Sequence, residues 1–348
     1  MKRLYSRIFF IPLLFLSCSK YTDHPGVSTY AGNATMGSVN GYRTEARFSN
    51  MMGIAADELG NLYVADSRNN LIRKIDTLGM VTTLAGTGVA GSNDGKGDQA
   101  SFFFPTALAV DKKGFVYVAD THNSLIRKIS PEGFVTTMAG QREYPTNPGM
   151  DKTEPRFDNP DGIAVDDSGN VYVSDWANDL IRKITPEGRI SNIAGNGGRG
   201  AQDGPGNTSS FYLPGGIARD GKGNIYVADT YNNLIRKIRP DGLVTRFAGK
   251  PAKGADNGKG PEASFFHPVG LALDPQGNLY VADVGNNMIR KISPDGTVTL
   301  LAGTGKRGSV NGPAKTASFY RPYGVTVDRR GNVYVADYLN NQIRKIIQ

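Results

Sequence analysis

The sequence predicts an all-β chain, a six-bladed β-propeller of four-stranded antiparallel blades, and three observations carry that prediction. The tetrapeptide YVAD, or its variant YVSD, begins at Tyr63, Tyr117, Tyr172, Tyr226, Tyr280 and Tyr334, at intervals of 54 or 55 residues. A fixed period of this length marks a repeat architecture. Each copy also holds four short runs rich in β-branched and aromatic residues, separated by turn formers. Finally, no run has helical period and no connection is long and apolar enough to hide a crossover helix, so the strands of a copy pair antiparallel. Four-stranded sheets repeated around an axis are propeller blades.

The fifth copy shows each element in turn. Gly270 to Asp274 (GLALD) is a short apolar run, strand a, stopped by Pro275, Gln276 and Gly277. Asn278 to Asp283 (NLYVAD) is strand b. Asn286-Asn287 turns the chain into strand c, Met288 to Ile292, and Pro294-Asp295-Gly296 turns it again into strand d, Thr297 to Ala302; these residues supply the dihedrals of tight turns. Blades are numbered one to six by their tetrapeptides. The last copy stops after IRKI without a strand d, whereas Val27 to Gly32 (VSTYAG) is a strand d with no copy before it. Residues 27–32 are therefore expected to pair with residues 342–347, closing the ring with strands from both ends and leaving no open edge.

The GxAxD, GNxYVAD, NNxIRKI and VTxxAG segments resemble NHL repeats, and together the copies span nearly all of the chain after residue 26. The resemblance implies a six-bladed propeller used mostly as a binding platform, with a minority of lyase members.

Residues 1–17 stand outside this pattern. Lys2, Arg3 and Arg7 precede an apolar stretch, Ile8 to Leu16, too short to span a bilayer, and Ser17-Cys18 follows at once, which reads as an export signal. Cys18 is the only cysteine, and Phe15-Leu16-Ser17-Cys18 resembles a bacterial lipobox, although Phe15 replaces the usual aliphatic residue. The resemblance implies cleavage before Cys18 and lipidation of its thiol. The expected organisation is thus a signal peptide over 1–17, a tether over 18–26 and a propeller over 27–348. It would be held in the cell envelope, on the outer-membrane or periplasmic side, touching the membrane only through the lipid. A single cysteine excludes an intrachain disulfide.

The chain carries 40 Lys and Arg against 32 Asp and Glu. Loss of the signal leaves 37 against 32, and twelve of the cations are the paired Arg-Lys of the six strands c, Arg73-Lys74 through Arg344-Lys345. The positive charge is spread around the ring and makes no one-sided patch, so nucleic acid is not an expected partner. Because Arg and Lys alternate sides on strand c, their stems are expected to cover apolar surface with both heads in water.

Comparing the six copies separates fold from function, since a residue type present in every copy is most simply explained by blade geometry. Asp66, Asp120, Asp175, Asp229, Asp283 and Asp337 each end strand b, three residues before an Asn. Calcium is a conceivable ligand of so many carboxylates, but the simpler expectation is that each Asp accepts backbone N–H groups of its own b–c turn, and that no cofactor is bound. Phe48, Phe102, Phe157, Phe211, Phe265 and Phe319 are expected as buried anchors of the long d–a loops. Gly41, Gly95, Gly149, Gly204, Gly258 and Gly312, preceded by Asn or Asp in five copies, are expected in tight turns.

The exceptions lie on the face that carries the d–a loops and b–c turns, where long loops favour binding. The b–c turns vary, and one holds the only tryptophan, Trp176. The d–a loop before that blade, QREYPTNPGMDKTEPR, is one residue longer, is stiffened by Pro145, Pro148 and Pro155, and holds Tyr144. An exposed Trp beside such a loop suits stacking on a sugar ring or anchoring a protein. The candidate ligand contacts are Trp176, Tyr144, Arg142, Tyr231, Tyr338 and His122. As for catalysis, His122 and His267 belong to blades three apart, on opposite sides of the ring, which argues against a histidine zinc site. There is no Ser-His-Asp pattern or nucleophile elbow. The expected function is a monomeric, non-enzymatic exported module that presents one face to a protein or carbohydrate. The alternative is a metal-assisted lyase or lactonase at the channel mouth.

Overall fold

The computed structural model describes residues 25–141 and 156–348; the signal segment, Cys18, Arg142 and Tyr144 fall outside these. Six antiparallel sheets form the described fold. In blade five the strands are Pro268–Leu273, Leu279–Asp283, Met288–Ile292 and Thr297–Ala302, paired in sequence order from the axis outward. Ring closure follows the expected pairing. Gly26–Ala31 lies antiparallel to Gln342–Ile347, from Gly26 opposite Ile347 to Ala31 opposite Ile343.

Four sheets carry a fifth strand of two residues that the sequence reading does not foresee. Gly95–Lys96, for instance, pairs with the outer strand of blade two. Gly41, Gly95, Gly204 and Gly258, expected in tight turns, therefore mark the point where a d–a loop adds to the outer edge of the next blade, and Gly312 bridges Val27 of the closing strand; Gly149 lies outside the described residues.

Each blade buries both faces, so the apolar core is divided among the blade junctions. One cluster joins Tyr63, Ala65 and Ile72 of blade one to Phe102, Val116 and Val118 of blade two. Another joins Tyr334, Ala336 and Ile343 of blade six to Phe48, Ile54 and Val64 of blade one, with Tyr30 and Ala31 from the closing strand. The strands a meet backbone to backbone at the axis. A Cβ at Gly324 would stand 2.3 Å from the Met52 carbonyl oxygen, and one at Gly216 2.3 Å from that of Val269. The channel that remains encloses only about 60 Å3, room for a few waters.

The repeated Asp and Arg act differently from expectation. Arg73, Arg127, Arg236, Arg290 and Arg344 are fully buried, so their heads do not reach water. Each guanidinium meets the carboxylate that ends strand b, as in Arg236–Asp229 at 2.8 Å, and lies over the anchoring phenylalanine, 5.1 Å from the ring centre of Phe211. The other oxygen of Asp229 accepts the Tyr212 backbone N–H at 2.8 Å, which belongs to the d–a loop and not to the b–c turn. Arg236 also donates to Asp203 in that loop at 2.7 Å. The Asn or Asp before the loop glycine is thus an acceptor for the buried arginine. A planar fork with five donors can bind strand, turn and loop at once, which a lysine cannot.

Candidate functional site

Three rings of side chains surround the mouth of the channel on the face expected. The first comes from the residue before each strand a: Asn50, Phe104, Asn159, Leu213, His267 and Arg321, all in the left-handed backbone region with φ between 48° and 53°. Five of these backbone N–H groups are held by a side chain at the end of the preceding blade's b–c turn, as His267 is by Asn233 at 3.0 Å and Leu213 by Asp179 at 2.7 Å. This conformation favours glycine or asparagine. Phe, Leu, His and Arg occupy it here, and three of the four, Phe104, His267 and Arg321, line the cavity at the mouth.

The second ring stands two residues further on in each blade: Met52, Thr106, Asp161, Gly215, Val269 and Tyr323. The third is the b–c turns, each one turn of 3-10 helix, for example Trp176–Asn178. Where the rings meet they enclose a funnel of about 300 Å3, lined by Phe104, Asn159, His267 and Arg321 of the first ring, Thr106, Asp161, Val269 and Tyr323 of the second, and Thr121, His122, Trp176, Thr230, Tyr231 and Val284 of the third. Such a volume suits one sugar ring or the end of a side chain, at the small end of ligand pockets.

The structure brings three of the sequence candidates, His122, Trp176 and Tyr231, into this one funnel. Trp176 is half-buried rather than exposed, its ring 6.5 Å from that of Tyr231 at 75°. Tyr231 stacks on His267 at 4.7 Å. On the other wall His122 stacks on Phe104 at 4.7 Å and 13°. Tyr338 stands behind Tyr323 at 6.1 Å and does not line the cavity; Arg142 and Tyr144 are outside the described residues.

His122 and His267 come from blades three apart, yet both line the same funnel, because the channel is so narrow that opposite blades meet at its mouth. Tyr323 of blade six even reaches Asp161 of the opposing blade three, its hydroxyl donating to Oδ2 at 3.4 Å. Among the described residues no three His, Cys, Asp or Glu are placed to hold a metal ion.

Asp161 is the residue that sequence reasoning misses. It is 7% exposed, and it is the one charged residue in the second ring. Burial pushes its carboxyl up to about 6, against the hydroxyls of Thr106 and Tyr323, which lower it. Burial, then the charge of Asp161, pushes the Tyr323 hydroxyl well up. Both funnel histidines are pulled down, His122 by partial burial and His267 by burial and then by Arg321 and Lys253, so both are neutral at pH 7.

A family model described as NHL repeat matches residues 102–129, 157–184, 211–238, 265–292 and 319–346. Protein SUPPRESSOR OF QUENCHING 1, chloroplastic, of Arabidopsis thaliana is 31% identical over 314 residues, which is 84% of this chain and 30% of that protein. The chain spans less than half the length of the curated relatives it matches. Among solved structures, an auxiliary nutrient binding protein from Bacteroides thetaiotaomicron aligns with a TM-score of 0.70 at 17% identity, over 93% of this chain and 76% of its own. A streptogramin B lyase aligns at 0.58 and 16%, over 92% and 97%. These two likenesses are of fold.

Proposed function

The chain is a six-bladed β-propeller of NHL repeats, and from that we propose that it is a non-enzymatic binding module whose ligand, a protein or a carbohydrate, enters the funnel on the d–a loop face. The observation that carries this reading is the wall itself: Phe104, His122, Trp176, Tyr231, His267 and Tyr323, drawn from five blades, face one cavity of about 300 Å3. Flat aromatic faces at a pocket this size take up a sugar ring or an inserted side chain by stacking and apolar burial. The fold it shares with an auxiliary nutrient binding protein agrees with that use. Export through residues 1–17 and a lipid at Cys18 would set the module at the envelope surface, where such ligands are met.

Titration of the protein with saccharides and short peptides, read by Trp176 fluorescence, tests the reading. Trp176→Ala, followed by calorimetry, is expected to weaken binding at least tenfold with an unchanged melting temperature. Full affinity in the mutant would move the site elsewhere.

The fold shared with a streptogramin B lyase supports a second reading, the metal-assisted lyase or lactonase. The expected result of chelation is no change in melting temperature. A fall of several degrees, reversed by calcium or another divalent ion, would support the enzyme, since an ion bound only by the folded state stabilises it.

A further inference from the structure

We infer that the funnel is built for a ligand carrying a primary ammonium group, which Asp161 receives at its floor; this rests on the reading that the funnel is the binding site and names the chemistry of what it holds. Four observations carry it.

Every buried aspartate that ends a strand b has a guanidinium against it, between 2.5 and 3.1 Å away. Asp161 is nearly as buried, 7% exposed against 0% for these, and takes part in no ion pair among the described residues. Its carboxylate contacts are the Tyr323 hydroxyl at a long 3.4 Å and the hydroxyl of Thr106. A buried carboxylate with so little support is costly to keep, and the fold does not need it, because Met, Thr, Gly, Val and Tyr serve the same position in the other blades.

Asp161 also lines the cavity itself. It stands where the funnel meets the channel, since it lines both cavities together with Thr106, Val269 and Tyr323. The walls suit a cation as well, since Trp176 and Tyr231 line the same cavity and aromatic rings attract cations through their π-systems. Charge balance points the same way. With both imidazoles neutral, the one other charge lining the cavity is Arg321, which is exposed at the rim, so an anion has no buried cation to meet.

A primary ammonium could belong to an amino sugar or to a lysine side chain, and two matched pairs of probes distinguish them. Glucosamine is compared with glucose, and Nα-acetyl-lysinamide with Nα-acetyl-norleucinamide, by calorimetry at pH 7 on wild type and Asp161→Asn. The Asn variant keeps the shape and removes only a buried charge, so folding is retained and is checked by its melt. The expected result is that at least one aminated probe binds wild type at least tenfold more tightly than its neutral partner, and that Asp161→Asn makes the two equal. The pair that shows the preference identifies the source. Equal binding of aminated and neutral probes by wild type, or a preference that survives in Asp161→Asn, overturns the inference and leaves the funnel as a site for neutral ligands. If no probe binds while another ligand binds in a Trp176-dependent way, the ammonium assignment falls alone. If nothing binds the funnel at all, the reading beneath it falls too.

Discussion

Asp161 makes a prediction about stability that is independent of any ligand. In the fold its carboxyl titrates near 6, whereas in the unfolded chain it titrates near 4, because burial disfavours its charge. The native state therefore holds the proton more tightly. The stability contributed by this group is full below about pH 4 and is lost as the pH rises through about 6. Asp161→Asn should match wild type near pH 4 and exceed it by about 2–3 kcal/mol at pH 8, measured by urea unfolding at the two pH values. A variant weaker than wild type at pH 8 would make Asp161 a structural residue. Trp176 and His122 are legible in the sequence because a rare residue in a variable turn is visible as loop chemistry. Asp161 is hidden because it lies inside a strand, and a lone carboxylate there resembles a solvent-facing residue until ring closure sets that strand on the axis.

Each blade's strands and loop are tied together by its Asp, Asn and Arg. Asp229 joins strand b to Arg236 of strand c, to Asn232 of the b–c turn and to the Tyr212 N–H of the loop. Asp229→Ala would leave a buried guanidinium and a loop N–H without their acceptor. The expected loss is about 3–5 kcal/mol, read from the urea midpoint. A loss below 1 kcal/mol would mean that water replaces the carboxylate. The spacing of these residues is plain in the sequence, as are the four strands that carry them. Their pairing is not, since it depends on the d–a loop folding back over the blade, a contact between residues 17 to 34 positions apart. The same loop path explains why the two-residue outer strands escape a reading made from hydrophobic alternation: they hold glycine and are defined by the partner they meet.

Closure makes the ring a mechanical unit. The outer strand of blade six, Gly26–Ala31, supplies Tyr30 and Ala31 to the cluster between blades six and one, so its removal opens an edge and a core together. Deleting residues 26–31 is expected to lower the melting temperature by more than about 10 °C, several kcal/mol for a domain of this size. The drop should appear equally in circular dichroism and in the fluorescence of Trp176, which sits in blade three, away from the cut. A Trp176 transition left in place would mean that the blades unfold separately. The closing pair was readable from the ends of the sequence, because a missing strand at one end and a surplus strand at the other admit one assignment. The narrowness of the channel was not, because it follows from backbone contacts between strands a that periodicity does not report.

The second ring at the mouth has a meaning for change as well as for binding. Six symmetry-related positions bear a thioether, a hydroxyl, a carboxylate, a bare backbone, a branched alkyl group and a phenol, and all six strands follow one course. Gly215 is closed to a side chain, because its Cβ would stand 2.8 Å from Thr230 Oγ1, whereas Thr106, Asp161, Val269 and Tyr323 line the funnel with four different chemistries. Randomising those four would yield a library of funnels on one frame, in which a new specificity is reached by single steps.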